Sequence, residues 1–313
     1  MDSYLVTGGA GFIGSHIVEL LVRRGARVRV LDNFVTGKRE NLVPFLGAIE
    51  LVEGDVRDLG TCRKAAEGVD SVLHQAALAS VPRSIEDPIL ADAVNVAGTL
   101  NMLLAAHDAG AKSFVLASSS AVYGDAPGLP QREGEEGAPL SPYAAGKLAG
   151  ENYCRVFSSL HGLRTAALRY FNVFGPRQDP ASQYAAVIPH FIAKMLRGEA
   201  PAIYGDGEQS RDFIYVEDVA EANVVAAAAP GLRGEALNIA RGAGTTVNAL
   251  AARINAALGT HIVPVHEAER PGDVRHSYAD VSAAAERLGF RPAVPFEEGL
   301  EKTIRWYRER RDP

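Results

Sequence analysis

The chain has 313 residues, of which 47% are hydrophobic and 22% are charged, and this length can fill a large core and two domains. Its formal net charge of −6 gives no general attraction to nucleic acid, and its two cysteines, Cys62 and Cys154, form neither a metal-binding spacing nor a disulfide framework. No apolar run approaches the ~18 residues that span a bilayer, and the first residues lack the basic segment and cleavage site of a signal peptide. We therefore expect a cytoplasmic protein with no metal site, no membrane segment and no nucleic-acid partner.

Short β-rich runs alternate with helical segments through the first half of the chain. Helices are predicted where apolar residues recur at helical spacing, over residues 13–24, 92–109 and 143–161. The predicted strands cover residues 4–7, 27–31, 49–52, 71–74, 113–117 and 164–168. This alternation indicates an α/β fold, a doubly wound parallel sheet with helices on both faces.

The pattern loosens after residue 174, where turn clusters at 175–180 and 205–207 separate short helices and isolated strands. This composition predicts a smaller, irregular α/β domain over the open ends of the sheet. We expect residues 1–172, together with a returning segment at 212–242, to form the sheet domain. Residues 173–313 are expected to form mainly the smaller domain, interleaved with the first.

A glycine-rich turn lies between the first predicted strand and the first predicted helix. Its sequence, Gly9-x-Gly11-x-x-Gly14, preceded by Gly8, fits the fingerprint of dinucleotide-binding proteins. The missing side chains let backbone N–H groups approach a pyrophosphate at the helix N-terminus. A glycine triplet alone is weak evidence, but this one follows a strand, opens a helix and precedes an acidic residue at the expected spacing. The sequence therefore predicts a dinucleotide site here.

The choice of dinucleotide depends on Asp32, which ends the second predicted strand. A carboxylate at this position accepts hydrogen bonds from the adenosine ribose hydroxyls and repels a 2′-phosphate, which favours NAD over NADP. Lys38 and Arg39 follow closely and leave NADP open, because a basic neighbour can accommodate the phosphate. Asp55 and Val56, after the third strand, are candidates to hold the adenine, although an ordinary turn aspartate is the alternative for Asp55.

Tyr143 and Lys147 lie four residues apart at the start of a predicted helix and therefore share one helix face. Such a pair is common on amphipathic surfaces, so the neighbouring motifs must show whether it is catalytic. A run of three serines at 118–120 ends the fifth predicted strand, at the sheet edge where ligands bind in such folds. Ser141-Pro142 leads into the tyrosine helix. This context favours a catalytic pair.

Together these motifs resemble the extended short-chain dehydrogenase/reductase family and, within it, the UDP-hexose 4-epimerases that act on UDP-glucose or UDP-N-acetylglucosamine. The matching segments cover nearly the whole chain: residues 7–16, 32–34, 54–56, 74–77, 118–124, 141–147, 169–177, 210–218 and 270–273. The resemblance implies a Rossmann domain over residues 1–172 that holds NAD tightly, a UDP-sugar domain in the remainder, and an isomerase that works through a 4-keto intermediate. It also implies a homodimer through a four-helix contact made by residues 92–109 and 143–160.

The resemblance makes Ser119, Tyr143 and Lys147 the catalytic residues. Removing the proton of a sugar hydroxyl while hydride leaves its carbon needs a base that works near neutral pH, whereas free tyrosine has a pKa of about 10. The ammonium of Lys147 and a positive nicotinamide ring would both favour the phenolate. Ser119 would hydrogen-bond the reacting oxygen with Ser118 or Ser120 assisting, and which serine dominates stays open.

The resemblance also assigns binding residues along the chain. The expected cofactor contacts, besides Tyr143 and Lys147, are Gly8, Gly11, Phe12, Ile13, Gly14, Asp32, Asn33, Gly37, Asp55, Val56, Gln75, Ala76, Ala77, Asn95, Ser118 and Tyr170. The expected substrate contacts are Ser119, Ser120, Tyr143, Asn172, Val187, Tyr204, Arg211, Arg270, Asp273 and Ser277. Arginine suits a diphosphate through its planar, bidentate donors, although a solvated charge is the alternative for Arg211 or Arg270 alone. Tyr204 lies near the uracil or packs in the core.

Relatives with the same machinery carry out other second steps. The nucleotide-sugar dehydratases that the chain resembles carry Asp-Glu where this chain has Ser120-Ala121, and the related decarboxylases usually keep a glutamate at the position of Ala121. Neither carboxylate is present, which favours oxidation followed by re-reduction and hence epimerisation. A UDP-glucuronate 4-epimerase, a dehydratase, decarboxylase or net oxidoreductase of the family, and a non-enzymatic NAD sensor stay open as alternatives.

Ser277 bears on the identity of the sugar. Epimerases restricted to non-acetylated hexoses often carry a bulky tyrosine at the matching position. A serine leaves volume beside C2 that would admit an N-acetyl group, unless the residue merely reflects drift within the subfamily. The sequence therefore predicts that the N-acetylated sugar is accepted alongside the non-acetylated one.

Overall fold

The structure, a computed structural model, describes residues 2–126, 128–180, 187–269 and 274–310. Its strands are β1 Ser3–Thr7, β2 Arg27–Asp32, β3 Ile49–Glu53, β4 Ser71–His74, β5 Ser113–Ser119, β6 Arg164–Tyr170, β7 Val173–Phe174, β8 Ala202–Tyr204, β9 Ser210–Asp212, β10 Ile214–Tyr215, β11 Glu235–Ile239, β12 Gly244–Thr246, β13 Val265–Glu267 and β14 His276–Ser277. Its helices are α1 Phe12–Arg23, α2 Leu59–Ala66, α3 Val81–Glu86, α4 Pro88–Asp92, α5 Gly98–Asp108, α6 Pro142–His161, α7 Val187–Leu196, α8 Val216–Ala228, α9 Val247–Leu258, α10 Ser282–Leu288 and α11 Phe296–Glu309. Short 3₁₀ turns occur at Arg39–Asn41, Val43–Phe45 and Ser120–Tyr123, and a π-helical turn at Ala93–Ala97 joins α4 to α5.

Seven parallel strands form the central sheet, in the order β11-β6-β5-β4-β1-β2-β3. Side chains of β1 alternate between its two faces, as a strand requires. Tyr4 and Val6 pack in a core cluster with α1 and α8, whereas Leu5 packs in a second cluster with α2, α5 and α6. Helices therefore cover both faces, and the doubly wound parallel sheet expected from the sequence is confirmed.

The strand order reverses at β1, because β2 and β3 lie on one side of it and β4, β5, β6 and β11 lie on the other. The loops that follow β1 and β4 diverge at this point and open a crevice at the carboxyl ends of the strands. Ligands of open α/β sheets bind in this crevice. The glycine-rich turn and residues 75–77, both predicted to bind the cofactor, therefore meet at one place.

α6 carries the tyrosine and lysine motif. The hydroxyl of Ser141 caps the helix by accepting a hydrogen bond from the N–H of Ala144 at 3.1 Å, and Pro142 occupies its first turn. The helix ends at Gly162, whose φ of +69° is a left-handed conformation that glycine adopts without strain. Since α6 packs along β5 and β6, its first turns lie beside the carboxyl end of β5.

The second half of the chain builds a smaller, irregular unit and also returns to the sheet. α7, α9 and α11 pack around a third apolar cluster that includes Phe174, Phe213 and Phe296. β9 pairs with β12 and β14, and β8 pairs with β13. α8 packs against α1, and β11 forms the edge strand beside β6, so much of the segment 212–242 belongs to the sheet layer. The domain limits themselves stay a prediction.

The helical run Pro88–Asp108, which comprises α4, the π-helical turn and α5, is long and apolar enough to span a membrane by length and composition. The expectation that no apolar run approaches that length is therefore wrong. The run begins before the helix predicted over 92–109 because Asp87 caps it, accepting a hydrogen bond from the N–H of Leu90 at 2.9 Å, with Pro88 in the first turn. α5 packs against α2 and α6 in the second core cluster, which accounts for its apolar composition.

Candidate active site

A cavity of about 550 Å³ opens at the carboxyl ends of the central strands, within the usual size range of ligand sites. Every residue that the sequence analysis assigned to the cofactor, except Asn95, lines it. These are Gly8, Gly11, Phe12, Ile13, Gly14, Asp32, Asn33, Gly37, Asp55, Val56, Gln75, Ala76, Ala77, Ser118, Tyr143, Lys147 and Tyr170. The fold thus brings the predicted cofactor residues together, while the contact of each with NAD stays a prediction.

The segment from the end of β1 to the start of α1 has no room for a side chain at Gly8 or Gly14. Gly8 has a φ of +65°, and a Cβ added to it would lie 2.7 Å from the backbone nitrogen of Ala76. A Cβ on Gly14 would lie 2.1 Å from the carbonyl oxygen of Gly8. The first N–H groups of a helix have no partner within it, and Phe12 and Ile13 put this end of α1 on the cavity wall. The cradle therefore fits a pyrophosphate.

Asp32 stands beside this turn and is only 6% exposed. Its carboxylate accepts the N–H of Ala10 at 2.9 Å and the N–H of Phe34 at 2.8 Å. Burial raises the pKa of Asp32, and these two hydrogen bonds oppose the rise. A carboxylate has about four lone-pair sites, so both oxygens can still accept bonds from ribose hydroxyls.

The two basic residues that left NADP open both have acidic partners. The ammonium of Lys38 lies 3.0 Å from the carboxylate of Asp179. The guanidinium of Arg39 bonds to the carboxylate of Glu53. These carboxylates compete with a 2′-phosphate for the positive charges, and the arrangement favours NAD, as Asp32 does.

Asp55 has the turn role that the sequence left open, while its contact with the adenine stays a prediction. It ties its own turn together, because Arg57 donates to it at 2.8 and 3.0 Å and Asn33 donates to it at 2.9 Å. The hydrogen bond from Arg57 is the main reason that the pKa of Asp55 falls to about 2, so the carboxylate is ionised at neutral pH. Asp55 also lines the cavity next to Val56, where the adenine is expected.

Gln75 and Tyr170 hold each other through a residue that the sequence analysis did not identify. Asn223, from α8, accepts a hydrogen bond from the amide of Gln75 at 2.9 Å. The hydroxyl of Tyr170 donates at 3.0 Å to Asn223 or at 3.1 Å to Gln75. Burial raises the pKa of Tyr170, which therefore stays neutral. Because α8 belongs to the returning segment, this contact exists only in the folded sheet.

Lys147 is buried at the end of the cavity, and its ammonium donates to the carbonyl oxygen of Ala117 at 2.8 Å. Burial lowers the pKa of Lys147 to about 8, and the charge of Glu151, one helical turn further on, opposes this shift. The ammonium lies 5.7 Å from the centroid of the Tyr143 ring. The two residues therefore occupy one helix face, as their spacing predicts.

Tyr143 lies in the first turn of α6 and is half-buried. Its backbone N–H donates to the hydroxyl of Ser84, a fully buried residue of α3. Burial raises the pKa of Tyr143, and a hydrogen bond with Ser119 lowers it. Burial is thus the largest influence on the pKa of Tyr143 in the protein itself. The expectation from the sequence was that the charge of Lys147 would shift this pKa in the opposite direction.

The serines at the end of β5 have different partners. The hydroxyl of Ser118 donates to the carboxylate of Glu151 at 2.5 Å, so its proton is committed. The oxygen of Ser119 accepts the N–H of Ala121 at 3.2 Å, which leaves its own proton for another acceptor. Ser119 is also the serine whose hydrogen bond lowers the pKa of Tyr143. This geometry favours Ser119 over Ser118 as the donor to a reacting oxygen.

Several predicted substrate residues lie in the smaller unit. Asn172 donates through its amide to the carbonyl oxygen of Asp212 at 3.2 Å. Arg211, on β9, and Ser277, on β14, are partners in the parallel pairing of these strands. The hydroxyl of Ser277 donates to the side-chain oxygen of Gln131 at 3.2 Å, in the loop that precedes α6. Arg211 and Ser277, which are expected to contact different parts of the substrate, are therefore neighbours.

The remaining predicted substrate residues are dispersed. Ser120 lies in the 3₁₀ turn after β5, and Val187 begins α7. Tyr204, at the end of β8, is half-buried on the wall of a smaller cavity of about 130 Å³, and its place near the uracil stays a prediction. Arg270 and Asp273 lie outside the described residues.

Asn95 is buried away from the cavity. Its side chain accepts the N–H of Leu78 at 2.8 Å and donates to the carbonyl oxygen of Leu78 at 3.2 Å, and Leu78 itself lines the cavity. Asn95 thus orders the loop after β4, and a direct contact with the cofactor stays a prediction. Ser84 and Glu151 were not predicted from the sequence. Helix periodicity was a usable signal for Glu151, which follows Lys147 by four residues on the same face.

These features define a dinucleotide-dependent enzyme of the Rossmann class. A glycine cradle, the Asp32 carboxylate and the Tyr143–Lys147 pair share one cavity at the switch point of a parallel sheet. Within the residues described, no group of three or more His, Cys, Asp or Glu side chains could hold a metal ion.

The chain belongs to the NAD-dependent epimerase/dehydratase family, whose model matches residues 4–240. A putative UDP-glucose 4-epimerase of Methanocaldococcus jannaschii is 41% identical over 304 residues, covering 96% of this chain and 97% of that protein. The structure of a UDP-N-acetylglucosamine 4-epimerase from Methanobrevibacter ruminantium, in complex with UDP-N-acetylmuramic acid, is 43% identical, covers 99% of each chain and has a TM-score of 0.94. A UDP-N-acetyl-alpha-D-glucosaminuronate decarboxylase of Bacillus cytotoxicus is 36% identical over 320 residues, 97% of each chain. These similarities confirm the family and the NAD dependence expected from the sequence.

Proposed function

We propose that this protein is an NAD-dependent UDP-hexose 4-epimerase that interconverts UDP-glucose and UDP-galactose, and also the corresponding N-acetylated pair. The observation that carries the proposal is the placement of Tyr143 and Lys147 on one face of α6, beside Ser119, at the end of the dinucleotide cavity. Relatives named as 4-epimerases, which cover nearly the whole chain, support it.

The protein's own residues would manage the proton during the reaction. When bound, NAD supplies the redox chemistry by accepting a hydride from the sugar and returning it. Tyr143, as phenolate, would take the proton of the C4 hydroxyl and give it back as phenol. The ammonium of Lys147 would favour the phenolate through its charge. Ser119, which already hydrogen-bonds Tyr143, would also hydrogen-bond the reacting oxygen.

The second half of the reaction distinguishes members of the family. Elimination of water or loss of carbon dioxide needs an additional acid or base, and the two positions after Ser119, Ser120 and Ala121, offer no carboxyl group. Glu136, in the loop that follows, is already bound to Arg169. The groups at this site therefore support return of the hydride to the opposite face of the 4-keto sugar. A UDP-glucuronate 4-epimerase would use the same groups and differ only at C6.

The proposal includes a homodimer formed through α4, α5 and α6. The apolar side chains of Ile89, Val156 and Leu160 are 80%, 45% and 73% exposed. Val156 and Leu160 lie four residues apart on one face of α6, and α4 packs against α6, so these helices can contribute to one contact. Association would cover these side chains. The net charge of −6 gives no general attraction to nucleic acid, and we expect no nucleic-acid partner. We also place the protein in the cytoplasm and expect no membrane partner.

The function is tested by product analysis of the purified protein. Incubated separately with UDP-glucose, UDP-N-acetylglucosamine and UDP-glucuronate, it should convert the first two into C4 epimers of unchanged mass. NAD should be released on denaturation, and no net NADH should accumulate. Tyr143→Phe, which retains the ring and removes the base, should lower kcat by at least ~10² with similar UDP-sugar affinity.

Three results would move the assignment. A product lighter by water or carbon dioxide would indicate a dehydratase or decarboxylase, and stoichiometric consumption of added NAD would indicate a net oxidoreductase. Turnover of UDP-glucuronate without turnover of the neutral sugars would select the glucuronate epimerase. Near-normal turnover of the Tyr143→Phe protein would remove this tyrosine from the mechanism.

A further inference from the structure

A buried ion pair lies directly behind the predicted catalytic residues. Glu151, on α6, is 1% exposed, and Arg169, on β6, is 2% exposed. The guanidinium donates to both carboxylate oxygens, with its Nε at 2.9 Å from Oε1 and its Nη2 at 2.7 Å from Oε2. Such a bidentate pair fixes the position of both side chains. Burying two charges costs free energy that a pair of well-packed apolar residues would avoid, so stability alone is a weak reason for it.

The pair contacts the cofactor cavity through Ser118. The serine hydroxyl donates to Glu151 at 2.5 Å, and Ser118 lies on the cavity wall. With its proton committed, Ser118 can offer the cavity only lone pairs. It therefore accepts a hydrogen bond from a ligand N–H or O–H and does not compete with Ser119 as a proton donor.

The Glu151–Arg169 ion pair also lies close to Lys147. Glu151 follows Lys147 by one helical turn, and both side chains are buried on the sheet side of α6. In the part of the chain that the structure describes, the groups recorded around Lys147 besides Tyr143 and Glu151 are the carbonyl of Ala117, from β5, and His74, from β4. Burial lowers the pKa of His74 to about 3, so this ring is neutral at working pH. Glu151 is therefore the negative charge beside Lys147, and Arg169 stands behind it.

We propose that Glu151, held by Arg169, is a positioning residue for this active site, which makes Ser118 a hydrogen-bond acceptor and keeps Lys147 charged during turnover. The proposal depends on the proposed function for its activity measurement but not for its direct measurement on Lys147. Arg169 has a further anchoring contact, since its guanidinium also bonds to Glu136 in the loop that leads into α6. The pair thus joins β6, the catalytic helix and the end of β5.

The direction of the expected effect follows from the charges. Burial lowers the pKa of Lys147 to about 8, and Glu151 raises it toward its ordinary value. Removing the negative charge should lower this pKa further, by about one unit for an opposite charge at close range. At pH 8 the charged fraction of Lys147 would then fall about fivefold, and the alkaline limb of kcat would move to lower pH by the same unit.

The test compares Glu151→Gln with the parent protein. Glutamine keeps the shape and an acceptor oxygen for Ser118 but removes the charge. Lysine labelled with ¹³C at Cε gives six resonances, and that of Lys147 is identified by its loss in Lys147→Arg. We expect the Lys147 titration to move down by about one pH unit and kcat at pH 8 to fall about fivefold, with a much smaller change in KM. The NMR titration needs no turnover, so it remains informative if the proposed function fails.

Two further variants keep the proposal open to refutation. Glu151→Gln leaves the buried guanidinium with Glu136 as its remaining carboxylate partner and can fold poorly. A double variant, Glu151→Gln with Arg169→Gln, therefore removes both charges and should show the same direction of shift. Asp218→Asn is the matched control, because Asp218 is a buried carboxylate that accepts the backbone N–H of Ala293, outside the cavity wall. It should lower thermal stability without moving either pH profile. If the Lys147 titration and the alkaline limb coincide with the parent in the folded variants, Glu151 and Arg169 serve stability alone and the proposal is overturned.

Discussion

Replacing Gly14 with alanine should weaken NAD binding by a predictable amount. The added Cβ would lie 2.1 Å from the carbonyl oxygen and 2.8 Å from the carbonyl carbon of Gly8, and 2.9 Å from Cα of Gly9. All three neighbours are backbone atoms, so no side chain can rotate away. The optimal separation of two heavy atoms is ~3.5 Å, so α1 must move away from the turn by about 1.4 Å. Overpacking of this kind costs ~1–3 kcal/mol.

The same movement displaces the N–H groups at the start of α1 from the expected pyrophosphate. If the full cost appears in binding, the affinity for NAD falls about 5- to 150-fold, since ~1.4 kcal/mol is tenfold. If the cost appears in folding instead, Tm falls by about 1.5–5 °C for a chain of 313 residues. Gly47→Ala is the control, because Gly47 lies in a turn with nothing within 4 Å of an added Cβ.

The assay measures both quantities on the same preparations. NAD content is determined after denaturation, the NAD affinity of stripped protein by calorimetry, and Tm by thermal unfolding with and without added NAD. Gly47→Ala should match the parent in each. A Gly14→Ala protein that retains NAD and unfolds at the parental temperature would refute the close-packing account of this glycine.

The remaining predictions concern substrate choice and assembly. Ser277→Tyr should lower kcat/KM for UDP-N-acetylglucosamine more than for UDP-glucose. Even ~1–3 kcal/mol of steric exclusion would give a 10- to 200-fold discrimination between the two sugars. Equal losses on both sugars would show that residue 277 does not face C2. Leu160→Asp places a charge where a side chain now 73% exposed would be covered, and it should convert a dimer into a monomer in sedimentation velocity. A parent protein that already sediments as a monomer would contradict the proposed helix contact.

The sequence by itself determined the layered fold and most of the cofactor site. Short β-rich runs separated by amphipathic segments have few ways to bury their apolar residues, and the parallel sheet wound by helices is the usual one. The glycines and Asp32 were readable because their roles depend on backbone geometry and on a fixed spacing within one βαβ unit. Tyr143 and Lys147 were readable because helical periodicity places them on one face.

Contacts between distant segments were decided only by the tertiary structure. Asn223 joins Gln75 and Tyr170 from a helix in the returning segment, and no local pattern predicts that pairing. The helical run that begins at Pro88 starts before the predicted residue 92, because Asp87 caps it and the π-helical turn joins α4 to α5 without a break.

Partners in the buried interior were equally invisible in the sequence. Glu151 and Arg169 lie on different elements, and their pairing depends on how α6 packs against β6. The different roles of Ser118 and Ser119 depend on which side of β5 each side chain faces, since one donates its proton to Glu151 and the other keeps it. Local sequence sets periodicity and turn geometry, whereas charge partners and proton donors are set by side chains that only the folded chain brings within hydrogen-bond distance.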